Sequence, residues 1–196
     1  KRKCQCVSIR GAKDYCFLFW YDSLLSSELV AKIKYLGERR YVSYFGKTLA
    51  NEIGNLPSMR GCKGVCYVPR SKENIRMRGF DQSQLLAESI AFYLGLPVIH
   101  CIKRSGRSEE QKKLSGEERL KNVKNKFSID YFHLVGDGGE IPSKLLLVDD
   151  VVTTGSTVKE CTFLLRRSGV RNVVVASIAK TPQKRMRKKR YRRKMF

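Results

Sequence analysis

Four consecutive apolar residues, Leu145, Leu146, Leu147 and Val148, run straight into two adjacent carboxylates, Asp149 and Asp150. An apolar run of this length reads as a strand buried on both faces, as in the middle of a parallel sheet. Val151 and Val152 follow, then a loop of hydroxyls around one glycine: Thr153, Thr154, Gly155, Ser156 and Thr157. Val158, Cys161, Leu164 and Leu165 recur at helical spacing, so the loop opens a helix. In open α/β sheets, ligands bind beyond the carboxyl ends of the strands. The unpaired amides and positive dipole end of the helix make the loop an anion site suited to a phosphate. The two carboxylates can accept hydrogen bonds from a sugar diol. A phosphorylated sugar is therefore the ligand implied. An acidic turn capping an ordinary helix through Thr153 or Thr154 explains one hydroxyl and one acid, not the whole run.

The rest of the chain supplies the sheet. Helical patterns are expected from Ser26 onward, with Leu29, Val30, Ile33 and Leu36 inward, and over 41–53, stopped by Gly54. A first core strand is expected at 65–68, closed by Pro69, followed by a basic loop over 70–80. Asp81 with Gln84 three residues on reads as an N-cap pair for a helix carrying Leu85, Leu86, Ile90 and Leu94 and ending at Gly95. Strands are expected at 98–102, 127–129 and 173–178, with a turn over 136–139. Strands alternating with helices imply an α/β fold with a mostly parallel, doubly wound sheet. The segment 103–126 is long, polar and without an apolar period, as functional lids or disordered segments are.

At 196 residues the chain has the size of one domain. The expected division is a short cysteine-containing appendage over 1–15, the domain over 16–183, and a basic disordered tail over 184–196. No apolar stretch is long enough to span a membrane, and the patch at 16–21 is too short for a signal-peptide core. Seven scattered cysteines without a secretory signal point to a reduced, cytoplasmic compartment. Net charge is +22, and the thirteen residues of the tail hold nine Lys or Arg. Without the tail, 31 basic residues still face 18 acidic ones. A polyanion partner and a merely solvated basic surface both fit such an excess. His100 and His133 sit near no Ser or Cys motif, so triad hydrolysis has no support.

The run 145–157 resembles the phosphoribosyl pyrophosphate signature of the type I phosphoribosyltransferases: four apolar residues, two acids, two apolar residues and a Thr/Ser/Gly loop. In that family the two acids hold the ribose 2′ and 3′ hydroxyls and the loop wraps the 5′-phosphate. The resemblance gives those roles to Asp149 and Asp150, the catalytic candidates, and to Thr153, Thr154, Gly155, Ser156 and Thr157. Two further blocks narrow it. Val68-Pro69, a basic spacer, and Arg78-Gly79-Phe80-Asp81-Gln82 resemble the Val-Pro…Arg-Gly-Phe-Asn-Gln hallmark of the ComF family, phosphoribosyltransferase-like proteins linked to natural competence. Here Asp81 replaces Asn. Gln111, Leu114-Ser115, Arg119, Asn122-Val123 and Phe127 match a second pattern of the same family.

The loop after the 65–68 strand lies near the Asp149 site if the sheet is doubly wound. Its Arg70, Ser71, Lys72, Arg76 and Arg78 are pyrophosphate-loop candidates, and Mg²⁺ can bridge diphosphate oxygens with few protein ligands. For Arg76 a solvated loop charge is an equal reading; for Arg78, fixed beside Gly79-Phe80, a ligand role is favoured. The segment 103–126 takes the place of the family's hood loop, where Gln111 and Arg119 can reach a ligand; Arg119 can equally pair with Glu117 or Glu118. The family often carries a four-cysteine zinc knuckle. Cys4, Cys6 and Cys16 have the wrong spacing for one, so zinc and other protein-held metals are not expected. Either the knuckle's first half lies before Lys1 or it has degenerated.

Two functions compete. One is a binding module that keeps a phosphoribosyl pyrophosphate site and handles single-stranded DNA during uptake, beside a competence helicase or other uptake proteins. The other is an active Mg-dependent transferase displacing pyrophosphate.

Overall fold

A computed structural model of the protein describes residues 9–21, 28, 39–104, 126–136 and 138–182. Four parallel strands form its sheet: β1 (Asp14–Trp20), β2 (Val65–Tyr67), β5 (Lys144–Val152) and β6 (Asn172–Lys180), in the order β1-β6-β5-β2. Leu145 pairs with Val173 and Asp149 with Ser177 across β5 and β6; Tyr15 pairs with Val175 across β1 and β6. Side chains alternate between two faces along each strand. One face gathers Cys16, Leu146, Val148, Val174, Ala176 and Ile178 against the helices α1 (Arg39–Gly54) and α3 (Gln82–Leu94). The other gathers Tyr15, Cys66, Leu145, Leu147, Val173 and Val175 against Val158, Cys161 and Leu165 of α5 (Ser156–Arg167). Both faces are covered, which is why β5 and β6 carry apolar residues without alternation. The fold is α/β with a parallel, doubly wound sheet.

Val42, Phe45, Leu49 and Ile53 of α1 are buried, and Leu86, Ala87, Ile90 and Ala91 of α3 meet the same core. Gly46 permits this packing: a Cβ there would stand 2.1 Å from the Ser89 hydroxyl oxygen. Any larger residue must push the two helices apart.

The structure departs from expectation in several places. Residues 16–20 of the apolar patch belong to β1, so the strand at 65 is not the first of the core. A seven-residue run that alternates little is easily taken for a patch, since only its pairing with β6 reveals it. Ile9 and Tyr15, within the stretch expected as an appendage, are buried in the second core. The loop expected over 70–80 contains a short helix, α2 (Lys72–Arg78), started by Ser71, which accepts from the Asn74 amide at 3.3 Å. Glu73 in its first turn and Arg76 and Arg78 in its last suit the dipole, and Gly79 ends it at φ 78°. The strand expected at 98–102 shrinks to one bridge, Val65 to Val98, made by the Val65 amide on the Pro97 carbonyl at 2.9 Å and the Ile99 amide on the Val65 carbonyl at 2.8 Å. Its continuation, β3 (Ile102–Arg104), instead pairs antiparallel with β4 (Phe127–Ile129) as a separate two-stranded sheet. Finally, Asp130 caps a short helix, α4 (Tyr131–Val135), that the pattern did not announce. The helix expected after Ser26, the segment 105–125 and the tail fall almost wholly outside the described residues.

Candidate functional site

All four strands of the main sheet point their carboxyl ends the same way, and the site lies there. Asp149 and Asp150 are part of β5 itself, not residues after it, and are 8% and 3% exposed. Their hydrogen bonds fix them. Asp149 Oδ1 accepts from the Asp150 amide at 2.9 Å and from the Ser83 hydroxyl at 3.2 Å. Asp150 Oδ1 accepts from the Val151 amide at 2.7 Å, and Asp150 Oδ2 is ion-paired with Arg70 Nη2.

Arg70 reaches Asp150 because its backbone is anchored. Its amide donates to Asp81 Oδ2 at 2.7 Å, while Asp81 Oδ1 caps α3 through the amides of Ser83 and Gln84. The carboxylate standing where the family pattern has Asn thus uses both oxygens, one for the helix and one for the loop. Gln84 does not close a capping box; its amide nitrogen donates to Glu88 at 2.9 Å. The Val-Pro…Arg-Gly-Phe-Asp-Gln block and the acid pair, about 70 residues apart in sequence, are joined by Arg70–Asp150 and Ser83–Asp149.

Burial and the neighbouring Asp150 carboxylate push the Asp149 carboxyl well above its usual range, against the opposing pull of Arg70. Burial raises Asp81 as well. At pH values between the ordinary carboxylate range and the raised pKa, the native state therefore holds an Asp149 proton that the unfolded chain has released. Its contribution to stability falls as pH rises from the ordinary carboxylate range through the raised pKa, by up to about 1.4 kcal/mol per pH unit. Asp149→Asn keeps the Oδ1 acceptor and removes the titration. Urea melts from pH 4 to 8 should show a shallower decline in the variant than in the natural protein; parallel declines would count against the buried acid pair.

The loop 153–157 follows directly. Thr153, Thr154 and Ser156 are exposed, and Gly155 adopts φ 81° at the N-cap of α5 without a side-chain cap. Thr154 Oγ1 accepts from the Ser156 amide at 3.3 Å. The first regular helical bond runs from Lys159 to the Gly155 carbonyl at 2.9 Å. The opening amides of α5 thus face the same end of the sheet as the acids. From the neighbouring strand, the buried Lys180 donates its ammonium to the Thr153 carbonyl. Its burial lowers its pKa, and no carboxylate pairs with it among the described residues. A dianionic group on the loop would neutralise it.

Of the residues singled out by sequence, Asp149, Asp150, Arg70 and the loop 153–157 come together. Ser71 is spent on capping α2, Lys72 and Arg76 stand exposed on that helix, and Arg78 is partly buried in its last turn. Gln111 and Arg119 lie outside the described residues, as do Cys4 and Cys6; Cys16 is a core residue of β1. The described residues contain no group of three or more potential metal ligands and no helix long and apolar enough to cross a membrane. Ser83 and Lys180 were not anticipated. The signal for Lys180 was present: one cation ends the apolar run of β6, beside the strand that carries the loop.

The family model described as phosphoribosyl transferase domain matches residues 82–196. Competence protein F of Haemophilus influenzae is 37% identical over 105 residues, 53% of this chain and 44% of that protein. DNA utilization protein YhgH of Salmonella typhimurium is 31% identical over 162 residues, 79% of this chain and 67% of that protein. Among solved structures, glutamine phosphoribosylpyrophosphate amidotransferase from B. subtilis, complexed with ADP and GMP, superposes with a TM-score of 0.51 over 76% of this chain and 30% of its own, at 19% identity, a likeness of fold. The family match and the parallel sheet are thus those of a phosphoribosyltransferase-like domain. Within that class, the chain belongs to the ComF family, whose curated relatives it matches over between about half and two thirds of their length.

Proposed function

We propose that this protein binds phosphoribosyl pyrophosphate with Mg²⁺ at the carboxyl end of β5 and serves DNA uptake by handling single-stranded DNA. The observation that carries the first part is the convergence of Asp149, Asp150, Arg70 and the loop 153–157 on one end of the sheet. The acids accept the ribose hydroxyls, the loop amides take the 5′-phosphate, and Arg70 meets the diphosphate. Mg²⁺ needs few protein ligands and would be held chiefly through phosphate oxygens and waters. The metal would neutralise diphosphate charge. The second part draws on the names of the relatives, Competence protein F and DNA utilization protein YhgH, and on the net charge of +22. The transferase reading differs in one readout, release of pyrophosphate.

Calorimetric titration of the full chain with Mg²⁺–phosphoribosyl pyrophosphate tests the proposal, with pyrophosphate release assayed beside it. Saturable one-site binding is expected; no heat and no protection against melting would overturn it. Lys180→Met should leave the melt nearly unchanged and weaken ribose 5-phosphate about tenfold, the size of one charge-assisted hydrogen bond. Deleting residues 184–196 should weaken single-stranded DNA binding and flatten its log–log salt slope by about 0.7 for each phosphate the tail neutralises. An unchanged slope would make the tail only a solvated end.

A further inference from the structure

Arg70 occupies the carboxylate that the proposed reading gives to the ribose. The Asp150 side chain is 4% exposed and that of Arg70 23%, so the guanidinium is the outer member of the pair and covers the inner one. Asp150 Oδ1 is already taken by the Val151 amide, which leaves Oδ2, the oxygen under Arg70, for a sugar hydroxyl. The guanidinium is itself poorly satisfied. It meets Asp150 through Nη2, while its Nε is buried without an acceptor among the described residues. Guanidinium forks bind phosphate oxygens through two parallel N–H groups, a geometry this single-point pairing does not use. The backbone of Arg70 is held on one side by the Asp81 carboxylate and on the other by Pro69, so the side chain can swing while its root stays fixed.

We propose that the Arg70–Asp150 ion pair is a ligand-selective latch: it closes the ribose carboxylate until a diphosphate draws the guanidinium away. The inference rests on the ribose phosphate reading of the site. A ligand carrying both parts opens its own seat, since the diphosphate satisfies Nε and Nη2 and the released Oδ2 accepts the diol. A ribose phosphate without a diphosphate must compete with Arg70 for Oδ2 and gains nothing from its release. Selectivity for diphosphate-bearing sugars thus comes from the closed state as well as from the interactions of the bound one.

Calorimetry on the full chain with ribose 5-phosphate, Mg²⁺–pyrophosphate and Mg²⁺–phosphoribosyl pyrophosphate tests this. Arg70→Gln should bind ribose 5-phosphate about tenfold more tightly than the natural protein and phosphoribosyl pyrophosphate about tenfold more weakly. The opposite signs are diagnostic, because misfolding or loss of a general positive field weakens both. Since Arg70→Gln strands a buried carboxylate, Asp150→Asn is measured beside Asp149→Asn. Each removes one acid, but only the first frees Arg70, so pyrophosphate should tighten at least about fivefold more in Asp150→Asn. Weakening of both ribose ligands in Arg70→Gln, or equal tightening of pyrophosphate in the two Asn variants, overturns the latch while leaving the site in place. A natural protein that binds none of the three ligands overturns the site and the latch with it.

Discussion

Replacing Asp149 and Asp150 together by Asn is expected to remove phosphoribosyl pyrophosphate binding while leaving the protein folded. Each carboxylate lost as an acceptor for a ribose hydroxyl should cost about 1.5–3 kcal/mol, so the pair costs about two to four orders of magnitude in affinity. The fold should survive because Asn is isosteric and keeps the oxygens that receive the Ser83 hydroxyl and the amides of residues 150 and 151. Removing two closely spaced buried acids offsets the loss of the Arg70 ion pair, whose partner is accessible enough to turn to solvent. Calorimetry and a thermal melt check both halves. Affinity within threefold of the natural protein would remove the acids from the site.

The second large effect is expected at Gly155. Its φ of 81° lies in the left-handed region, which a β-branched residue enters only under strain of about 1–3 kcal/mol. Space is not the obstacle, since a Cβ there would meet Val152 at 3.7 Å, an ordinary van der Waals distance. Gly155→Val must therefore either hold the strained backbone or re-route the turn that aims the first amides of α5. In the first case the melting temperature falls by several degrees, about 2–4 °C per kcal/mol for a domain of this size. In both, a side chain now stands where the backbone should approach the phosphate, and phosphate binding should drop at least about fiftyfold. Gly155→Asn should recover most of the stability, because Asn tolerates this conformation. Equal melts and equal affinity for Gly, Asn and Val would show that the turn is free to change and not part of the site.

The part of this architecture that sequence revealed is the part built by local rules. The apolar run before Asp149, the glycine-centred loop and the helical spacing from Val158 lie within a few residues of one another, and each constrains its neighbour. The Asp81 cap of α3 was legible for the same reason. What stayed hidden depends on long-range pairing. The β1 strand is identified by its register with β6, about 160 residues away. Lys180 gains meaning only when β6 is placed beside β5. The basic residues of the block at 70–78 all looked alike as candidates, but a short helix carries Lys72 and Arg76 away and leaves Arg70, held by Asp81, to meet Asp150. Spacing could not separate them; the fold does.

A ribose phosphate is proposed to seat on the acid pair and the loop 153–157. Amide chemical shifts of the ¹⁵N-labelled 22.5 kDa protein, followed through a titration with Mg²⁺–phosphoribosyl pyrophosphate, test it most directly. The amides of Thr154, Gly155, Ser156, Thr157 and Val158 are expected to move most, with those of Asp149, Asp150 and Arg70 moving at the same ligand concentration. A basic cavity of about 300 Å³ at the opposite end of the sheet, lined by Lys13, Arg166 and Arg171, offers any anion a competing seat. Shifts confined to Lys13, Asn172 and their neighbours, with the loop 153–157 unmoved at saturation, would contradict the claim.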